Sequence, residues 1–176
     1  RTQAVYLSGR NEVRVLDLKT FKDELVTKDE LWGFNNSLPY FSPNDQFISF
    51  SAFRNFEQEI MLYNTQTKKT INLTNTSITE TDPMWSQDGK YIYFTSSRLK
   101  PSYPFGIQNA RIYRLPLENI DEPYRGDKFT ELFKEEKKDT SKKVIVKTDE
   151  VINIDMDRIM DRLELVGPSF GSQAIV

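Results

Sequence analysis

Few side chains in this sequence are equipped for chemistry, and those few point to hydrogen bonding rather than to bond making. Thr81 and Asp82 stand just ahead of Trp85, and Asn36 and Ser37 just ahead of Phe41. Hydroxyl, amide and carboxylate groups in such places can hold an extended peptide by its backbone, donating to its carbonyls and accepting from its N–H groups. The same residue types serve equally well as turn caps. Arg54 and Arg98 recur 44 positions apart, and repetition at equal spacing suggests a structural bond, for instance to a loop carbonyl, rather than an anion site. Asp155-Met156-Asp157 opens like a calcium loop. Its third ligand position is Ile159 and the required glycine is absent, so Arg158 and Arg162 beside Asp155, Asp157 and Asp161 are expected instead to form surface ion pairs or to line a rim.

What is missing excludes more. The 176 residues hold no histidine and no cysteine. A nucleophile activated by His cannot be assembled within them. Zinc would have to be held by carboxylates alone, and thiol redox chemistry and disulfides are out. No catalytic residue, cofactor site or metal site is therefore expected within it. With 24 basic against 26 acidic residues, net charge −2, the electropositive surplus of a nucleic-acid face is lacking. No apolar run approaches the roughly 20 residues of a membrane helix.

The elements that must position these groups are visible as a repeat. Pro39 to Ser51 aligns with Pro83 to Thr95 at an offset of 44, and Val13 to Asp17 aligns with Ile60 to Asn64 at an offset of 47. Ile112-Tyr113-Arg114-Leu115-Pro116-Leu117 is a third copy of the latter. Periods of about 40–50 residues fit a four-stranded propeller blade. Gln46–Phe50 and Lys90–Phe94 read as strands, aromatic and β-branched and bounded by turn residues. Asp88-Gly89 predicts a type I′ hairpin, with Asn44-Asp45 as its glycine-free equivalent, and Ser86 is placed to cap that turn. Thr65–Lys69 and Lys19–Asp23 are the polar turns between third and fourth strands. Trp85 and Phe41 recur at apolar positions and are expected between blades.

The reading is thus an all-β partial β-propeller of about three to four four-stranded blades, a fragment of a larger ring. Its divisions are an incomplete first blade at 1–30, a blade at 31–75, and a blade at 76–120 with an insertion at 99–110. A charged linker at 121–143 and the start of a next blade at 144–176 follow. From Asp121 to Glu164, 23 of 44 residues are charged, which marks a solvated excursion, with a short helix from Asp127 to Glu136. Lys143–Val146 and Val151–Asp155 read as strands, while Met156–Val166 satisfies helical spacing as well. Within a ring, Asp82, Thr81, Asn36 and Ser37 would line the central channel.

At this point a family resemblance enters. Trp85-Ser86-Gln87-Asp88-Gly89-Lys90-Tyr91-Ile92-Tyr93-Phe94-Thr95-Ser96-Ser97-Arg98 resembles a blade signature shared by translocation-protein, prolyl-peptidase and tricorn-type propellers. Arg111 to Leu117, the charged linker, and Val151-Ile152-Asn153-Ile154-Asp155-Met156-Asp157-Arg158-Ile159 resemble a tricorn-type serine protease, with Arg158 where that family's turn has glycine. The resemblance spans about residues 39–166 and favours strand, turn and strand over 151–166. It implies a non-catalytic propeller segment of a tricorn-like serine peptidase, a hydrolase of proteolysis whose catalytic domains lie downstream. The segment would serve substrate access, peptide binding and assembly. Its partners would be a peptide or protein substrate, the remaining blades and downstream domains, and in some assemblies a second copy. Nucleic acid and a membrane span are not implied. The compartment implied is periplasmic or secreted, with the cytoplasm as alternative. The rival is a non-enzymatic scaffold propeller resembling the translocation-protein type. A third parent, an α/β-hydrolase, would show a Gly-x-Ser-x-Gly elbow downstream.

Overall fold

The structure, a computed structural model, describes residues 1–32, 38–101, 109–119 and 151–168. Three antiparallel sheets follow one another along the chain. β1 (Gln3–Ser8), β2 (Glu12–Asp17) and β3 (Asp23–Lys28) form the first. β4 (Tyr40–Phe41), β5 (Phe47–Arg54), β6 (Glu57–Asn64) and β7 (Thr70–Asn72) form the second. β8 (Glu80–Trp85), β9 (Tyr91–Ser96), β10 (Arg111–Pro116) and β11 (Glu164–Leu165) form the third. The fold is all-β, and the sheets stack as blades of a β-propeller, β8 packing on β4, β5 and β6.

The repeat read from the sequence is a repeat of hydrogen bonds. Ser86 donates to the Asp88 carboxylate at 2.6 Å and accepts from the Tyr91 N–H at 3.0 Å. Forty-four residues earlier, Ser42 donates to the Asn44 side chain at 2.9 Å and accepts from the Phe47 N–H at 2.9 Å. In the β2–β3 turn the Asp17 carboxylate accepts from the N–H groups of Lys19 and Thr20, and in the β6–β7 turn Asn64 does so from Gln66 and Thr67. The expected type I′ geometry at Asp88-Gly89 is corrected. Only Gly89 (φ 72°) and its equivalent Asp45 (φ 59°) are left-handed there, whereas a I′ turn needs both central residues so. The two-residue turn with both left-handed is Asn55-Phe56 (φ 50° and 70°), which joins β5 to β6.

Alternation along the strands decides which sheets meet. On β5, Ile48, Phe50 and Ala52 point one way and join Val13, Leu31, Met61 and Tyr63 in a core against the first sheet. Ile60 and Leu62 of β6 point the other way and join Ile92, Phe94, Tyr113 and Leu115 against the third. Each large aliphatic or aromatic side chain buried in these layers is worth about 1.5–3 kcal/mol. Phe41 lies in the first of these cores, as expected. Trp85 packs at the edge of the second, stacked on Phe47 (6.1 Å, 22°), and donates its indole N–H to Ser49 Oγ at 3.0 Å.

Residues 151–168 depart from expectation. Among the described residues Val151–Asp155 pairs with no strand, and the following residues form a turn and a 3-10 helix, Ile159–Arg162, before β11. β11 pairs with β10 and so completes the third sheet rather than opening another. The reason lies in what takes the backbone. The Gln46 side-chain amide donates to the Ile152 carbonyl at 3.2 Å and accepts its N–H at 3.0 Å. Asp155 N–H goes to the Leu117 carbonyl at 2.8 Å. Ile152 and Ile159 drop into the core between second and third sheets, so the segment is a strap across their ends. Arg158 pairs with Asp161 and Arg162 with Asp155, as expected. The linker 121–143, its helix from Asp127 to Glu136, the strand Lys143–Val146 and most of the insertion 99–110 lie outside the described residues.

Gly89 is where the strap and a left-handed turn meet. A Cβ added there comes within 2.8 Å of Ile152 Cδ1, whereas at Gly9 (φ 60°) it meets nothing within 4 Å. Gly9→Ala is therefore expected to cost about 1 kcal/mol, from φ alone. Gly89→Ala adds an overpacking cost of about 1–3 kcal/mol, and urea denaturation of the two variants measures the difference.

Candidate functional site

The first strand of the third sheet is bent where the sequence places its polar groups. β8 pairs regularly with β9 at Glu80 and Thr81 and again at Met84 and Trp85, with a register shift between Thr81 and Met84. The shift falls on Asp82-Pro83. Pro83 has no N–H to give the ladder, and Asp82 is left-handed at φ 58°. A bulge re-aims the side chains it carries. Here the Thr81 hydroxyl donates to the Asp82 carboxylate at 2.8 Å, and both residues stay half-buried. Thr81 and Asp82 are thus brought together as one polar pair on a first strand. Asn36 and Ser37 lie outside the described residues.

Beside this pair, where the second sheet hands the chain to the third, are three buried carboxylates that sequence reading did not single out. Glu59 accepts from the Ser77 N–H at 2.8 Å and from the Asn72 amide at 2.5 Å, fixing the connection that leads into β8. Glu57 accepts from the Thr79 hydroxyl. Glu80, fully buried, is held by Arg98 at 2.7 Å. Burial pushes the Glu80 carboxyl up from its ordinary value. The Thr74 and Thr76 hydroxyls and the Arg98 guanidinium pull the other way without cancelling it. Burial also pushes Glu57 up. The one signal in the sequence was Glu12 and Glu59 standing 47 apart like the strands that carry them.

The two repeated arginines do the same work in two places. Arg98 ties the end of β9 to Glu80 at the entry of its own sheet, and Arg54 ties the end of β5 to Asp29 in the connection that enters its own. The Arg54–Asp29 pair is two-pronged, 2.7 and 2.8 Å, the geometry in which a guanidinium binds a carboxylate best. The partners are carboxylates rather than the loop carbonyl expected, although Arg54 also donates to its own neighbour's Phe53 carbonyl at 2.7 Å.

Asp29 belongs to a second feature, a groove of about 660 Å³ lined by Arg10, Asn11, Lys28, Glu30, Leu31 and Trp32. Trp32 is 56% exposed, with φ 50°. The Arg10 guanidinium lies over its ring at 5.3 Å and Phe53 tilts against it at 6.0 Å. Among the described residues no group of three or more acidic side chains is disposed to hold a metal ion. No helix there is long and apolar enough to cross a membrane.

Comparison with known proteins agrees with the fold. Residues 18–108, 91 of the 176, match the model of the family described as eukaryotic translation initiation factor eIF2A. No curated protein matches the chain. Among solved structures, TolB from Acinetobacter baumannii is 27% identical over 67% of this chain, with a TM-score of 0.55. The tricorn protease is 19% identical over 95% of it, TM-score 0.57, and a TolB homologue from Agrobacterium tumefaciens 14% over 66%, TM-score 0.54. The chain spans 28%, 16% and 42% of these structures respectively.

Because the folded Glu80 holds its proton more tightly than the ordinary value of 4.5, its share of stability is full below that value and is lost as pH rises through the raised one. Glu80→Gln imitates the protonated form and carries no such dependence. Wild type is expected to lose stability relative to Glu80→Gln between pH 4 and pH 7, and urea denaturation at the two pH values checks the sign.

Proposed function

The chain belongs to the eIF2A family, and from that premise we propose that it is a non-catalytic binding module, a run of propeller blades that holds an extended peptide within a larger protein. What this reading takes from the family is the propeller scaffold. The observation that carries it is the bulge at Asp82-Pro83. The bulge interrupts the β8–β9 ladder and sets the half-buried Thr81–Asp82 pair on a first strand, where polar side chains can meet an extended backbone. Asn36 and Ser37, at the corresponding place before the second sheet, belong to the same proposed channel lining.

In its finer form the parent is a tricorn-like serine peptidase. The described blades then admit substrate and support assembly, and proteolysis is done by downstream domains carrying the nucleophile and its base. The absence of His from the sequence supports assigning catalysis elsewhere. The compartment of this reading is the periplasm or the exterior. A second reading, a non-enzymatic protein-binding scaffold, has its own support in the 27% identity to a TolB structure. The blade limits 31–75 and 76–120, with the fourth strand of the latter returned from 164–165, and closure by further blades belong to the same proposal.

The intact parent decides between the two. Peptide cleavage blocked by a serine-directed inhibitor is expected of the peptidase, and Asp82→Ala should lower its efficiency on long peptides by about tenfold while sparing short ones. Binding without cleavage leaves the scaffold, and unchanged handling of long peptides by Asp82→Ala removes the channel contact.

A further inference from the structure

We propose that the groove beside Trp32 is a second recognition site, one that takes an extended peptide segment in which an acidic side chain neighbours an apolar or aromatic one. The inference rests on the peptide-binding reading but places the contact at the junction of the first and second sheets, apart from Thr81 and Asp82.

Trp32 is held against two preferences at once. A left-handed backbone costs a residue with a Cβ about 1–2 kcal/mol, and an indole left 56% exposed forgoes part of its burial. Such an arrangement persists only where the surroundings impose it, and they do. Leu31, one residue before, is wholly buried in the core between the first two sheets. The Asp29 N–H goes to the Asn11 carbonyl at 2.9 Å, its carboxylate to Arg54, and the Phe53 N–H to the Glu30 carbonyl at 2.7 Å. The backbone up to Leu31 is therefore held, and the indole rests between Phe53 and Arg10, which lowers the ordering it needs on binding.

The charges around it define the occupant. Arg14, Arg54, Arg98 and Arg114 each hold a carboxylate. Arg10, at the β1–β2 turn, holds none among the described residues and is steered only by the face of Trp32. A guanidinium lying over a ring keeps its N–H edge free for a carboxylate. Lys28 is engaged by Glu12 at 3.0 Å and so does not compete for that role. Glu30, also without an ion-pair partner among the described residues, is an acceptor on the groove wall for a backbone N–H. The chemistry is an aromatic anchor beside a carboxylate fork, in a groove sized for a few side chains.

The test uses the full chain and two labelled peptides read by fluorescence anisotropy. One alternates leucine, phenylalanine and aspartate, and the other has lysine for each aspartate. Wild type is expected to bind the aspartate peptide about tenfold or more tightly than the lysine peptide. Trp32→Ala should weaken binding of the former by about tenfold or more. Arg10→Glu should invert the preference, an outcome that misfolding cannot produce. Binding lost in Asp82→Ala but kept in Trp32→Ala and Arg10→Glu overturns the groove while sparing the peptide-binding reading. Equal affinity of wild type for the two peptides, or none for either, overturns the groove outright.

Discussion

The structure depends on one constraint, that its second sheet is apolar on both faces. Ile48 and Phe50 look one way from β5, and Ile60 and Leu62 look the other way from β6, all at most 1% exposed. A sheet of that kind has no stable existence with one face in water, so it must be sandwiched. From this follow the stacked sheets, the short connections that keep neighbours in contact, and the need for polar groups to be settled wherever a connection crosses the seam. Tyr63 and Leu62, adjacent in sequence, serve two different cores for the same reason.

How the seam is settled distinguishes this chain from a purely oily stack. Glu59 binds the connection Asn72–Ser77, Arg98 binds Glu80, and Arg54 binds Asp29, each joining a strand or its end to the segment that brings the chain into a sheet. These contacts specify which connection goes where. They do so at a cost in desolvation that only paired and hydrogen-bonded groups can offset. The bulge at Asp82-Pro83 sits just past this stretch, so the half-exposed pair Thr81–Asp82 follows directly on the buried, ion-paired Glu80.

Much of the fold was legible because strand and turn chemistry recur at constant spacing. Ser42 and Ser86 make the same bonds to Asn44 and Asp88, and Asp17 and Asn64 cap the same turn. The turn geometry was not fully legible. Glycine advertises a left-handed position at Gly89, but nothing in a phenylalanine advertises one at Phe56, where the register Arg54 to Glu57 forces it. Nor could the strap be read, since its backbone is held by the side chain of Gln46, 106 positions away, instead of by a neighbouring strand. Of the polar residues, Thr81 and Asp82 stood out by their place ahead of Trp85. Glu57, Glu59 and Glu80 did not, because a buried carboxylate looks like a surface one until its partners are known. Trp32 was hidden by its neighbour Leu31, whose burial decides that the indole points outward.

The pairing of β10 with β11 joins Arg114 to Glu164 across 50 positions. A ribosome delivers β10 well before the strand that covers its flank, and at about 5–20 residues per second the flank stays open for seconds. During that interval β10 is an edge strand, the kind of surface that recruits other chains. Its sequence is suited to the wait. Arg111 and Arg114 place charge along it, and Pro116 ends it with a residue that cannot donate to a ladder. The strand that waits for its partner thus carries its own guard against other chains.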